Sequence, residues 1–432
     1  MAFIANIALA NLIERHCREQ APLPESGDAG RPLAVLERLG FFTPACLPED
    51  EYKQRQWRHE AAVLFLTNRC NLRCIYCYAS AGDFAPQEMP WEIARAAVDQ
   101  VIGDCVANGA LCFTLGFHGG GEPTLNLKIL KRTIAYARRR TSQENIGLTV
   151  TGSFNGFWGK ACRTYMLEQM NELSLSFDGP PEVQNRQRPA RNGRASFDRV
   201  AQTLTALDNS GLAYGIRMTI TPESAASLAE NIRFICNRFH PRKIQVEPVF
   251  AQGRAREHSI GAAQPDVFLR QFMTAYGVAQ QSGIELFYSG ARPDILTRRF
   301  CLAACRALVV TPQGEVTTCF ETYGRDHPLS APFRVGVYDG QGGFRLDHDK
   351  IGKHMARTVD EIPYCEACFC KWHCAGDCAI KASRAGQVDR FQPTERCFIN
   401  QELTKFLLLE KIKSNGGLFW VRDKNTEEKS DV

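Results

Sequence analysis

The stretch Ala61–Ser80, AAVLFLTNRCNLRCIYCYAS, decides the fold. Six apolar residues run unbroken from Ala61 to Leu66, far short of a bilayer span and suited to a strand buried on both faces. Thr67 and Asn68 end the run, and Cys70, Cys74 and Cys77 follow at once in the spacing C-x3-C-x2-C. Cysteine supplies 18 of 432 residues. At that frequency the spacing arises by chance about 0.03 times per chain. Three thiolates on one short loop can hold three irons of a 4Fe-4S cluster and leave the fourth iron open to an exogenous ligand.

Downstream, a second apolar run, LCFTLGF, leads into HGGGEPTL from His118 to Leu125. A glycine run alone reads as a tight strand-to-helix turn. Beside the cysteines it reads as a binding surface for the ligand of an open iron. Gly119, Gly120 and Gly121 let the backbone approach closely, and Glu122, fixed by Pro123, can accept from an ammonium group. Four further strand-like runs follow, IGLTVTGS, LSLSFDG, YGIRMTI and KIQVEPVF, each trailed by a helix-length stretch. Six such units from about residue 60 to 290 predict an α/β fold with a parallel sheet covered by helices and a site at the strands' C-terminal ends.

C-x3-C-x2-C followed by GGEP resembles the radical S-adenosylmethionine (SAM) superfamily. The resemblance implies a partial (β/α)6 TIM-like barrel over residues 59–295, a 4Fe-4S cluster on Cys70, Cys74 and Cys77, and SAM chelating the open iron. Reduction then splits SAM to a 5′-deoxyadenosyl radical, with the electron coming from a donor such as flavodoxin or ferredoxin. SAM contacts carried over by motif are Tyr76, Gly120, Gly121, Glu122, Asn155, Ser176, Asp178 and Arg217. On this reading Ser176 and Asp178 hold ribose hydroxyls and Arg217 pairs with the methionine carboxylate.

From residue 301 the cysteine content rises. Cys365, Cys368, Cys374 and Cys378 form C-x2-C-x5-C-x3-C, expected by chance about 0.001 times per chain, so a metal-bearing region is predicted. A tetrahedral zinc site is the simpler alternative. Together with Cys301, Cys305, Cys319 and Cys397, the set resembles the SPASM extension of peptide- and protein-modifying radical SAM enzymes. That resemblance implies two auxiliary 4Fe-4S clusters over residues 296–412, three clusters in all. The family pattern assigns Cys301, Cys305, Cys319 and Cys378 to one auxiliary cluster, and Cys365, Cys368, Cys374 and Cys397 to the other. Cys17, Cys46, Cys105, Cys112, Cys162, Cys236 and Cys370 are left over. Most of these are expected to be buried thiols, with Cys370 an additional thiol beside the ligands.

The remaining segments are less informative. Residues 1–58 read as a helical segment or a truncated peptide-recognition element, and residues 413–432 as a disordered polar tail. The loop Gln184–Arg194, with Arg186, Arg188, Arg191 and Arg194, reads as a solvated charge run that could alternatively grip an acidic peptide. A net charge of +5 in short groups argues against nucleic-acid binding. No apolar run long enough for a membrane and no basic leader predict a cytoplasmic protein.

The leading functional expectation is an enzyme that abstracts hydrogen from a ribosomally made precursor peptide, presented alone or by a separate recognition protein. It would install a cross-link, a thioether, an epimerised centre or a backbone excision. The alternatives are an anaerobic sulfatase-maturating enzyme and a radical SAM enzyme acting on a small molecule. Sulfatase-maturating enzymes carry an aspartate immediately after the cysteine that matches Cys319, and this chain has Phe320 there. Glu247 and Glu321 are weak acid-base candidates. A non-catalytic iron-sulfur carrier has no use for an open iron, and the GGEP loop argues against it.

Overall fold

A computed structural model describes residues 2–3, 5, 7–19, 22, 30–39, 41–42, 59–301, 303, 305–324, 329–384 and 387–419. Within them the apolar run that opens the fold becomes β1 (Ala61–Leu64). Its side chains alternate between faces, as a strand requires. Ala62 and Leu64, with Leu66 just beyond, join one core with Ile93, Val98 and Val101 of α1 (Trp91–Asn108). Val63 and Phe65 join a second, smaller core with Ala79, Ala81, Val309 and Tyr323. Each large side chain buried this way contributes about 2 kcal/mol.

The six predicted strands all form: β1, β2 (Cys112–Phe117), β3 (Gly147–Phe154), β4 (Glu172–Ser176), β5 (Tyr214–Ile220) and β6 (Lys243–Pro248). They pair in parallel in chain order. Helices α1, α2 (Leu127–Glu144), α3 (Lys160–Gln169), α4 (Pro181–Gln187), α5 (Phe197–Ser210) and α6 (Leu228–Arg238) lie between them.

The sheet extends past six strands in both directions. After α7 (Pro265–Gln281), β7 (Glu285–Phe287) pairs in parallel with β6. On the opposite side β8 (Ala307–Val310) pairs in parallel with β1. From β8 an antiparallel run follows through β9 (Glu315–Thr317), β10 (Arg334–Tyr338) and β11 (Phe344–Leu346). The full order is β11-β10-β9-β8-β1-β2-β3-β4-β5-β6-β7, an open sheet of eleven strands. Hydrogen bonding therefore runs straight across the boundary expected at residue 295, because β8 supplies the parallel neighbour that β1 would otherwise lack.

Residues 363–384 form short turns around the cysteines, and the long helix α8 (Glu395–Ser414) packs back on α7. The segment expected to begin a disordered tail is ordered through residue 419, since Leu418–Phe419 pairs antiparallel with Ala2–Phe3. The rest of that tail lies outside the described residues. Residues 1–58 include helices Ile7–Glu19 and Gly30–Arg38, while 43–58, with Cys46, also lie outside them. No helix among the described residues is long and apolar enough to cross a membrane.

Candidate active site

The three cysteines occupy an irregular loop that leaves β1 and is pinned by backbone from distant segments. The segment 187–191 runs alongside it. Gln187 O accepts from Ile75 N at 2.9 Å, Pro189 O accepts from Arg73 N at 2.7 Å, and Asn71 O accepts from Arg191 N at 2.8 Å. From below, Arg254 clamps the loop. Its Nη1 donates to Cys74 O, its Nη2 to Ala81 O and its Nε to Asp83, each at 2.8 Å. Gly253 precedes it at φ +54°, and a Cβ there would meet Tyr78 O at 2.4 Å and Cys77 O at 2.5 Å. Only glycine lets this backbone seat against the loop.

The glycine run closes the other side. Gly121 N donates to Thr67 O and Glu122 N to Arg69 O, both at 2.8 Å. A Cβ on Gly121 would lie 1.9 Å from the Arg69 carbonyl oxygen. Glu122, 2% exposed, then ties this loop to the end of β3. Its Oε1 accepts from Thr124 Oγ1 at 2.7 Å and Trp158 Nε1 at 3.2 Å, and its Oε2 accepts from Asn155 N at 2.8 Å. Burial raises its pKa, and these donors work against the rise. Asn155 in turn points Nδ2 at Asn71 Oδ1, 2.7 Å away, and at Cys70 Sγ, 3.7 Å away.

One open cavity is lined by Cys70, Cys74, Tyr76, Cys77, Gly120, Gly121, Glu122, Asn155, Ser176, Arg217, Glu247 and Glu321. These come from the ends of β1 to β6 and from the loop after β9. Asp178 is the one barrel site candidate absent from this lining. Its carboxylate sits 1% exposed behind the wall, accepting from Tyr76 OH, from Gln187 Nε2 at 2.9 Å and from Thr219 N at 3.1 Å. It positions Tyr76 within this structure and does not face the cavity.

Arg188, His118 and Lys381 are among the lining residues to which sequence reasoning gave no role in the site. Arg188, expected in a solvated loop, is 7% exposed and turned inward. Its Nη1 donates to Tyr76 OH at 2.7 Å. The signal was masked by its three arginine neighbours, Arg186, Arg191 and Arg194, all of which are exposed. His118 stands with Phe65 and Phe320 edge-on to its ring. Burial and then Arg217 push its pKa down to about 3, so the imidazole is neutral. Lys381 reaches in from the cysteine-rich region, its Nζ 3.3 Å from Glu321 Oε1. Burial works against its ammonium, but Glu321 and Cys378 outweigh it and raise its pKa.

Glu247 accepts from Gln245 Nε2 at 2.9 Å and Ser289 N at 3.0 Å through Oε1. Burial would raise its carboxyl, yet Arg396 and Lys381 hold it below the usual range. Its Oε2 has no hydrogen-bond partner, and neither has Arg188 Nε, among the described residues.

These features fit the groups expected here. Burial pushes the Cys70 thiol up to about 12, the neighbouring Cys74 adding to it. Cys74 reaches about 11, with burial opposed by Arg188 and Arg254. Thiolates at Cys70 and Cys74 therefore need a bound cation to be stable, as an iron cluster provides. Arg188 Nε has no hydrogen-bond partner among the described residues, and Glu247 Oε2 has only the longer ion pair to Arg396 Nη1 at 3.7 Å, so spare donor and acceptor capacity of both signs on one lining suits a ligand that carries both signs itself.

The C-terminal cysteines fall into two neighbourhoods. Cys378 is pushed up to about 12 by burial, with Glu321, Asp377 and Cys301 adding to it. Cys319 is raised by burial, then by Glu321, Cys378 and Cys301. Separately, Cys365 reaches about 11 through burial, Cys368 and Cys397. Cys374 reaches about 12 through burial and Asp377, with Cys397 among its neighbours. Cys370 sits 3.4 Å from Cys368, sulfur to sulfur, and its hydrogen bond holds Cys368 down to about 6. Among the described residues no three side chains converge on a single-ion site, and the cubane expected here spreads its ligands over its corners. Of the leftover cysteines described, Cys105 and Cys370 are buried, Cys162 and Cys236 half-buried, and Cys17 and Cys112 exposed. The expectation that most are buried is corrected, because helix and strand ends place four of them toward solvent.

Residues 64–235 match the model of the Radical SAM superfamily. The chain carries a radical SAM domain. Among curated proteins it is 28% identical to Fe-coproporphyrin III synthase of Methanosarcina barkeri, over 69% of this chain and 71% of that one. It is 21% identical to mycofactocin maturase MftC of Mycolicibacterium smegmatis, over 72% and 76%. An uncharacterised protein of Methanocaldococcus jannaschii is 27% identical, and the match covers 40% of this chain and 57% of that protein's length. Among solved structures, anSMEcpe with bound AdoMet superposes with a TM-score of 0.62 at 16% identity, covering 83% of this chain and 100% of the other. Streptococcus suis SuiB bound to precursor peptide SuiA gives 0.55 at 14%, covering 90% and 88%. The matched residues run from the last residue of β1 through β5 into α6, and the sheet extends beyond them on both sides.

Proposed function

We propose that this chain is a radical SAM enzyme that cleaves S-adenosylmethionine reductively and modifies a ribosomally made precursor peptide. The observation that carries the reading is that one cavity gathers these groups. The Cys70–Cys77 loop and the glycine run form one end, and Glu247, Glu321 and Lys381 form the other, with Lys381 supplied by the cysteine-rich C-terminal region. When bound, the cluster and SAM supply a carbon radical able to take a hydrogen atom.

The chain's own residues prepare the space around that event. Cys70, Cys74 and Cys77 would hold the cluster, and Cys301, Cys305, Cys319 and Cys378, with Cys365, Cys368, Cys374 and Cys397, would hold two auxiliary clusters. Arg188 and Arg217 offer donors to a carboxylate, while the free lone pairs of Glu122 and Glu247 accept from an ammonium. Phe65, Phe320 and the neutral His118 wall off water beside the glycine run. The Glu321–Lys381 ion pair places a carboxylate and an ammonium on the cavity lining beside the cysteine-rich region, where they can hold a polar group of a substrate. A maturase relative and a structural neighbour solved with its precursor peptide support a peptide substrate.

A second reading, a tetrapyrrole substrate, is favoured by the similarity to Fe-coproporphyrin III synthase over 71% of that protein. The sulfatase-maturating reading is weakened because Phe320, in place of the expected aspartate, packs on His118 at 5.5 Å. Anaerobic coexpression with short peptides encoded beside this gene, read by high-resolution mass spectrometry in ordinary and deuterated water, tests the proposal. A mass change confined to one peptide is expected. Unmodified peptides together with a new iron-tetrapyrrole product would replace it with the second reading.

A further inference from the structure

A groove distinct from the cavity lies on the outer side of the cysteine loop. Asn71, Phe157, Arg191, Arg194 and Arg199 line it, and Asp198 is the one acid on its lining. It shares no lining residue with the cavity, so an occupied cavity leaves it open. Arg191, Arg194 and Arg199 are exposed. Among the described residues none of the three guanidinium groups has an acidic partner, and Arg199 lies 4.8 Å over the Phe157 ring.

The groove is built onto the cysteine loop itself. Its Asn71 follows Cys70 directly, and Asn71 O accepts from Arg191 N at 2.8 Å. Asn71 Nδ2 donates to Phe157 O at 3.2 Å. Asn71 Oδ1 accepts from Asn155 Nδ2 at 2.7 Å, and that same amide nitrogen stands 3.7 Å from Cys70 Sγ. A partner seated here is therefore separated from the Cys70 sulfur by about one residue of packed, hydrogen-bonded protein. Electron transfer falls steeply with distance, so this short, hydrogen-bonded route is the chemical asset of the position.

We propose that this groove is the docking surface for an acidic one-electron carrier protein, a flavin or iron-sulfur donor. In each encounter one electron leaves the donor's centre, which is oxidised by one electron, and reduces the cluster on Cys70, Cys74 and Cys77. No atom is transferred. The inference rests on the reading of that loop as a cluster site. Three unpaired cations around a small exposed groove fit a weak, electrostatically steered encounter, the usual form of redox complexes.

The test uses the reconstituted full chain, wild type and R191E/R194E, with a bacterial flavodoxin as probe. Binding of oxidised flavodoxin should weaken about tenfold or more in the variant at low ionic strength, and the salt dependence of binding should flatten. Release of 5′-deoxyadenosine should fall by about the same factor with reduced flavodoxin. With dithionite, or with reduced methyl viologen of opposite charge, it should stay within about twofold. Unchanged flavodoxin binding and turnover would overturn the proposal. An equal fall with the small reductants would also overturn it, placing a peptide substrate or a structural role in the groove. The neutral variant R191Q/R194Q should show an intermediate loss, which separates lost charge from a misfolded loop. If wild type releases no 5′-deoxyadenosine with any reductant, the cluster reading fails, and the binding measurement still reports on the groove.

Discussion

Arg188 Nη1 donates to the Tyr76 hydroxyl at 2.7 Å, and that hydroxyl donates in turn to the Asp178 carboxylate. All three are buried. The tyrosine lies between two cysteines of the loop, so a cation and an anion from outside it fix its position. Breaking one member of a buried charged network costs about 3 kcal/mol, because its partners stay desolvated. Arg188→Met should lower unfolding stability by that order, and Arg188→Lys should recover part of it while losing the fixed fork. Denaturant titration of the three proteins checks this, and equal stability would show that the network carries no load.

Gly121 and Gly103 make a matched pair. A methyl on Gly121 would sit 1.9 Å from the Arg69 carbonyl oxygen, whereas one on Gly103, within α1, meets nothing within 4 Å. Gly121→Ala should abolish SAM-dependent activity and lower thermal stability. Gly103→Ala should stabilise the fold by about 0.5–1 kcal/mol. Thermal unfolding of both variants reads the difference.

Glu122 accepts from four donors, the backbone N–H of Thr124 among them at 3.4 Å. Glu122→Gln replaces one acceptor oxygen with an amide NH2 group that must face a donor, which leaves buried groups unpaired at a cost of about 2 kcal/mol. Trp158 is one of those donors, so its fluorescence should shift as stability falls. An unperturbed Trp158 spectrum at full stability would contradict the assignment.

Asn155 Nδ2 is the hydrogen-bond donor aimed at Cys70 Sγ. Donors to cluster sulfurs favour the reduced, more negative state. Asn155→Ala should therefore lower the reduction potential of the cluster proposed on Cys70, Cys74 and Cys77, as measured by redox titration with electron paramagnetic resonance.

The predicted strands were legible for two reasons: AVLFLT and LCFTLGF are the mostly apolar runs of a parallel strand buried on both faces, while KIQVEPVF alternates apolar with polar residues at a strand's period of two. β7, of three residues, and β8, lying between cysteines, are too short to stand out. The cysteines and the glycine run were legible for a different reason, since their chemistry lies in local spacing. Arg188 and Arg254 were not, because their partners Tyr76 and Cys74 are 112 and 180 residues away. Asp178 shows the converse case. A motif places it beside Ser176, but only packing shows that its carboxylate is already occupied by Tyr76, Gln187 and Thr219.

The central claim, that Cys70, Cys74 and Cys77 hold the cluster that opens S-adenosylmethionine, is tested most directly by their combined replacement with alanine. Iron content and 5′-deoxyadenosine release are measured on anaerobically reconstituted wild type and variant. The account predicts that the variant loses about a third of its iron, one of three cubanes, and releases no 5′-deoxyadenosine. Continued release from the variant would contradict it.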